Sequence, residues 1–273
     1  VTNPEDIQSG LESVRVHDPD RYLTALMAPR RVRDALMALY AFNAEIARIP
    51  TLVSEPALGE IRLQWWRDAV DNMGAASSSG APLATALGKA MSAHELPKPF
   101  LIGMIDARCA DLDGGGLPDL QALKAYLYKS EGAVFALSAR ILGATDARTS
   151  SKANAAGLAF GLTKLLCMLA RDAAAGKVML PLSMLESHGI RTEQILSGTC
   201  AEGLKPVLAE LADEARAARR QITGLERAAR PAFAPLALVE PYLKSLAQAD
   251  HNALRNIADI NPLVRFWRLW RAS

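Results

Sequence analysis

The chain is poor in the residues that announce chemistry by their spacing. Three cysteines, Cys109, Cys167 and Cys200, are scattered through 273 residues. Being odd in number and far apart, they build neither a disulfide framework nor a zinc knuckle, and they suit a reducing compartment. His17, His94, His188 and His251 are dispersed without metal-ligand spacing and are expected to be structural. Glycine-rich phosphate loops, internal repeats and strand-like alternation are all missing, and Ser183 has no paired base that would support a hydrolase. Charge is nearly balanced, 31 basic against 29 acidic residues. That balance excludes nucleic-acid binding driven by bulk electrostatics. Lys164 interrupts the best candidate for a membrane span, and the acidic start VTNPEDIQSG has the pattern of neither a secretory signal nor a transit peptide.

What remains is a helical sequence. Half of it is hydrophobic, enough for a sizeable core. The run from Ala159 to Pro181 reads as the end of a central helix over Ser150–Asp172 that is apolar nearly all round and finishes in Arg171-Asp172. Leu165, Met168, Arg171 and Asp172 share one face at spacings of three and four. Around it the pattern predicts helices over 30–48, from Ser54-Glu55-Pro56 to Asn72, and over 83–93, 98–112, 120–129, 133–142, 204–230 and 239–258. Asp18-Pro19 should open a short helix, and Pro50 should end the one before it. Residues 75–82 and 113–116 read as loops. The fold class is all-α. One domain is expected over 1–273, with an extension over 1–17 and a Trp/Arg tail over 259–273.

Several short motifs, in order over about residues 18–190, give the chain a resemblance. They are Ala38-Leu39-Tyr40-Ala41-Phe42, Trp66-Arg67, Tyr126-x-Tyr128 with Gly132, and Leu162-Thr163 leading to Gly176-Lys177-Val178-Met179-Leu180-Pro181. Together they resemble the squalene/phytoene synthase family of head-to-head prenyl transferases. The resemblance implies an isoprenoid-synthase-type helical bundle around a deep apolar cavity. In active members two aspartate-rich motifs on facing helices hold magnesium ions, which bind the diphosphates of two isoprenoid substrates.

This chain departs from the pattern at those motifs. The aspartates of the first are replaced by Ala47, Arg48 and Thr51. In the second, Met168 and Arg171 stand at acidic positions, and Asp172 alone survives. Magnesium needs several converging oxygens, so no metal, no cofactor and no catalytic residue is expected. Phe42-Asn43-x-Glu45, Ser54-Glu55-x-x-x-Gly59 and Arg62-x-Gln64-Trp65-Trp66 resemble the non-catalytic branch that includes the mitochondrial complex I assembly factor. That implies an assembly or binding role, with a complex I subunit or assembly partner. The alternative is an active transferase that takes farnesyl or geranylgeranyl diphosphate with magnesium.

Two readings stand for the cations at the degenerate mouth. In one, Arg48, Lys164, Arg171 and Lys177 replace the missing metal and bind the phosphate of an isoprenoid or phospholipid. In the other, they pair with Glu45 and Asp172 and close a dead pocket. Trp65-Trp66 is expected to anchor core packing. In the tail, Phe266, Trp267 and Trp270 alternate with Arg265, Arg268 and Arg271. Such a segment either makes a peripheral membrane or partner contact or folds back as a strap. The expected location is the bacterial cytoplasm, at or near the inner membrane, or the mitochondrial matrix if the chain is organellar.

Overall fold

The computed structural model describes residues 12–53, 55–73, 81–112, 116–248 and 251–273, with Ala147 described by its backbone alone. Residues 12–17 are helical (α1). The chain then turns into α2 (Pro19–Met27), whose N-cap is Asp18: its Oδ1 accepts the Arg21 backbone N–H at 3.2 Å, and Pro19 fills the first helical position. The predicted stop at Pro50 is displaced. Helix α3 runs Arg30–Leu52 with Pro50 inside it. A proline this close to a C-terminus forfeits one ladder bond, and the last turn is held from outside. Thr51 Oγ1 donates to the Arg48 carbonyl at 2.7 Å, and Lys177 Nζ donates to the Pro50 carbonyl at 2.8 Å. The Pro50 carbonyl is among those that a helix end leaves without partners.

Helix α4 (Pro56–Asn72) starts from Glu55 without a side-chain cap bond, and the expected cap Ser54 lies outside the described residues. So do most of the loops expected at 75–82 and 113–116. Helices α5 (Pro82–His94) and α6 (Lys98–Cys109) follow. The two helices expected on either side of Gly132 are one continuous rod: α7 (Leu120–Leu127), a wide π turn over Tyr128–Gly132, and α8 (Ala133–Ile141). Central helix α9 (Ala147–Ala174) begins three residues before Ser150, because Asp146 caps it through the Thr149 N–H. By length and composition Arg148–Ala174 could cross a membrane, despite Lys164, but 72% of its apolar window is buried inside the bundle. It is the core helix.

Short helices α10 (Leu182–Ser187) and α11 (Thr192–Leu196) lead to α12 (Ala201–Arg220). The predicted single helix to Arg230 stops ten residues short. Ile222 turns into the core, and Gly224 takes φ +60°, a left-handed conformation open to glycine. A 3₁₀ turn, α13 (Arg230–Phe233) and a second 3₁₀ turn follow. Helix α14 (Val239–Leu246) ends twelve residues before the expected Ala258. The tail is itself a helix, α15 (Pro262–Ala272), capped by Asn261. Among the described residues there is no strand.

One apolar core runs from Val14 to Ala253, with α9 in contact with α8, the π turn, α12 and α14. The closest approach falls at Gly157. A Cβ there would lie 2.3 Å from the Gly132 nitrogen and 2.4 Å from its Cα, so α9 lies directly against the backbone of the π turn. Gly157→Ala should therefore cost about 3 kcal/mol, as overpacking against backbone does. Gly103→Ala, with open space around its Cβ, should be neutral or gain about 0.5–1 kcal/mol of helix propensity. Chemical denaturation of both variants checks this, and equal stabilities would contradict the packing.

Candidate functional site

The π turn and α9 together build the polar centre of the bundle. The wide turn carries Glu131 inward, and Arg21 of α2 meets it there: Arg21 Nη2 and Glu131 Oε2 stand 2.7 Å apart. Arg21 Nη1 also donates to Asp18 Oδ2 at 3.1 Å. The guanidinium is 1% exposed and lies within 5–6 Å of the ring centroids of Tyr40, Phe135 and Phe160. Where the resemblance implies an apolar cavity, this part of the core is therefore filled by an arginine in an aromatic box. Lys164 extends the network toward solvent, 3.4 Å from Asp18 and 3.9 Å from Glu131. Burial alone would raise the Glu131 carboxyl. Arg21 above all, then Lys164 and Arg108, overcome it and bring the pKa down to about 2.

Outside this network lies the mouth, a cavity of about 170 Å³ between α3, α6, the π turn and α9. It gathers Ala47, Thr51, Lys164, Met168, Arg171, Asp172 and Lys177. Arg48 is the exception. It pairs with Glu45 at 3.5 Å and faces a separate cavity of about 600 Å³ beside Trp65 and Trp66. Arg171 and Asp172 close on each other at 3.0 Å. Among the described residues Lys177 has no carboxylate within ion-pair distance. Its ammonium is held by the carbonyls of Pro50 and Asp111, and burial depresses its pKa. The four cations thus have four different fates, and three of them share the mouth. His17 lines a separate cavity of about 250 Å³ with Asp18, Lys164 and Met168, its pKa lowered by burial and then by Arg48 and Arg171.

A second cluster at the mouth centres on Arg108 and Asp111, which belong to none of the family motifs, and joins them to Tyr126 and Asn43, which do. Arg108 contacts Asp111 at 3.4 Å and Tyr126 at 2.5 Å, and it reaches Asn43 at 3.4 Å. Burial pushes Asp111 up, although Arg108 and the Tyr126 hydroxyl oppose it. Arg108 Nε and Asp111 Oδ1 are buried with no hydrogen-bond partner among the described residues. The available signal was a charge in an apolar run, Arg108 after Leu101-Ile102-Gly103-Met104-Ile105 and Glu131 before Ala133-Val134-Phe135. Of the tryptophan pair, Trp66 is buried edge-on against Phe42 at 5.2 Å, while Trp65 is exposed.

The residues present do not fit a magnesium cluster. Asp172 is spent on Arg171, and Ala47, Thr51 and Met168 supply no carboxylate. Among the described residues no group of three or more His, Cys, Asp or Glu could hold a metal ion.

Fold and mouth together define a helical prenyl-synthase-type protein whose metal-binding carboxylates are replaced. A family model for squalene/phytoene synthase matches residues 14–268, and the chain belongs to that family. It is 30% identical over 269 residues to NADH dehydrogenase (ubiquinone) complex I, assembly factor 6 of Bos taurus, covering 96% of this chain and 81% of that one. The Homo sapiens protein is 28% identical over 271 residues. A phytoene synthase of Thermus thermophilus is 28% identical over 220 residues, 79% of this chain and 73% of that one. Among solved structures, a squalene synthase from Alicyclobacillus acidocaldarius superposes with TM-score 0.76 at 20% identity, over 89% of this chain and 93% of that one. A dehydrosqualene synthase superposes with TM-score 0.78 at 18% identity, over 98% of this chain and 94% of that one.

Two outcomes follow for the buried network. Arg21→Met strands Glu131 and Asp18 and should cost about 3–5 kcal/mol, part of which Arg21→Met/Glu131→Gln should recover. Glu131 titrates lower in the fold than in the unfolded chain, so its contribution is full above about pH 4.5 and is lost as pH falls toward 2. Wild type should lose stability through that window more steeply than Glu131→Gln, which denaturation at stepped pH measures.

Proposed function

We propose that this chain is a non-catalytic member of its family that acts by binding, as an assembly factor for a complex I-type NADH dehydrogenase. The carrying observation is the mouth: ligand carboxylates are gone, and the remaining one is locked to the adjacent guanidinium. The similarity to the assembly factors, over 96% of this chain and 81% of the Bos taurus protein, supports the same reading, since the match to the phytoene synthase spans less of the chain. The partner is a subunit or assembly intermediate, met at the bacterial inner membrane or, in an organelle, from the matrix. Helix α15 supplies the peripheral membrane contact. It packs Leu269 inward against Leu238 and Ala234 and leaves Phe266, Trp267 and Trp270 exposed, so it is strap and contact at once.

A small-anion reading of the mouth is favoured by one observation, the Lys177 ammonium, which is held by carbonyls and has no carboxylate within ion-pair distance among the described residues. With Lys164 and Arg171 it would hold the phosphate of an isoprenoid or phospholipid without metal.

Three measurements test these readings. Farnesyl and geranylgeranyl diphosphate offered with magnesium should release no pyrophosphate; turnover would restore the transferase alternative. Calorimetry of the same diphosphates under a chelator decides the metal-free anion site, which absence of binding removes. In a host lacking the chain, Asp172→Ala should restore membrane NADH dehydrogenase as well as wild type does. Failure of that variant at normal expression would point back to catalysis.

A further inference from the structure

Beneath α15 lies a groove that the mouth does not use. Arg219 from the last turn of α12, Arg230 at the start of α13 and Arg271 from the last turn of α15 line one cavity of about 370 Å³. Its floor is apolar and buried, made of Ile222, Phe233 and Leu236. Among the described residues no carboxylate lines it. Arg219 Nε reaches the Leu236 carbonyl at 3.4 Å, and Arg271 lies 5.4 Å from the centre of the Trp267 ring. None of the three has a carboxylate within ion-pair distance among the described residues. Asp213 and Glu240, on nearby turns, are both held by Arg216. Three guanidiniums facing one cavity without a counter-charge repel one another, and an anion with several acceptor oxygens removes that cost.

The surface beside the groove says where the anion comes from. Leu263, Phe266, Trp267 and Trp270 follow one another at spacings of three, one and three, a single stripe along α15. Leu263 is 79% exposed and Trp270 63%. Arg271 belongs to both features, stacking on a tryptophan of the stripe while it lines the groove. Indole rings settle at the level of lipid head groups, which places phosphates beside them and within reach of adjacent arginines.

We propose that the Arg219–Arg230–Arg271 groove binds the head-group phosphate of an anionic phospholipid while the α15 stripe enters the same bilayer surface. The inference rests on the membrane reading of α15 and adds head-group selectivity to it. The stripe supplies apolar burial to any bilayer, and the groove supplies the preference for negative lipid.

Co-sedimentation of the full chain with vesicles tests this, using phosphatidylcholine alone and phosphatidylcholine mixed with phosphatidylglycerol. Wild type should bind the anionic vesicles at least about tenfold more tightly, since each arginine near such a surface is worth about fivefold. Arg219→Gln/Arg230→Gln should abolish that preference and leave binding to neutral vesicles unchanged. Lys205→Gln removes one charge from the other end of α12, roughly 21 Å from Arg219 along the helix, and should leave the preference intact, whereas Arg219→Gln, which also removes one charge, should lower it. Trp267→Ala/Trp270→Ala should weaken binding to both vesicles. An anionic preference that survives the double arginine variant, or that Lys205→Gln lowers as much as Arg219→Gln does, overturns the groove. Equal, tryptophan-dependent binding to both vesicles overturns it too but leaves the membrane reading standing. No binding to either removes both.

Discussion

Everything in this bundle is arranged around one charge contact, the Arg21 guanidinium against Glu131 between helix α2 and the π turn. A bare carboxylate or guanidinium in such a core would cost several kcal/mol, so each is tolerated only with the other in place. The geometry that brings them together is a chain of local necessities. Asp18 caps α2 and turns its second oxygen to Arg21. Gly157 lets α9 lie on the backbone of the π turn, and the wide turn rotates Glu131 inward. Lys164 then carries the network to the rim. Removing one partner of such a pair costs far more than the pair itself contributes, and this pair ties α2 to the π turn beside the mouth.

Seen from that contact, the mouth has changed its chemistry. A metal-dependent prenyl transfer needs a concentration of unpaired carboxylate oxygens. This mouth instead binds its acids to bases: Glu131 to Arg21 and Lys164, Asp111 to Arg108, Asp172 to Arg171. Lys177, tied to the carbonyl of Pro50, fastens the last turn of α3 across the opening. The family's fold is kept, and the positions of its metal motifs hold Ala47, Arg48, Thr51, Met168 and Arg171. That arrangement accords with the proposed binding role and with an aromatic helix facing outward.

Much of the fold was legible because helical periodicity and the proline and aspartate boundaries are local signals. The all-α class, the central position of α9 and the Asp18 cap all follow from spacing within a few residues. Boundaries failed where tertiary contacts overrode local preference. The Pro50 turn persists because Lys177, 127 residues away, satisfies its carbonyl. The Ala-Arg-rich stretch after Arg220 breaks because Ile222 is drawn into the core. At the mouth, motif comparison located Ala47, Thr51, Met168, Arg171, Asp172 and Lys177, but it placed Arg48 with them, and the side chain turns away to Glu45. Arg21 and Glu131 carried no motif at all. Their meeting depends on a π turn, which shifts the helical register by one residue and which no periodicity shows.

The sign of charge at the mouth decides whether divalent metal can bind there, and anomalous scattering reads it most directly. In a crystal grown with manganese, the anomalous map should be featureless beside Asp111, Glu131 and Asp172. A strong peak there, with carboxylate oxygens at bonding distance, would contradict the account.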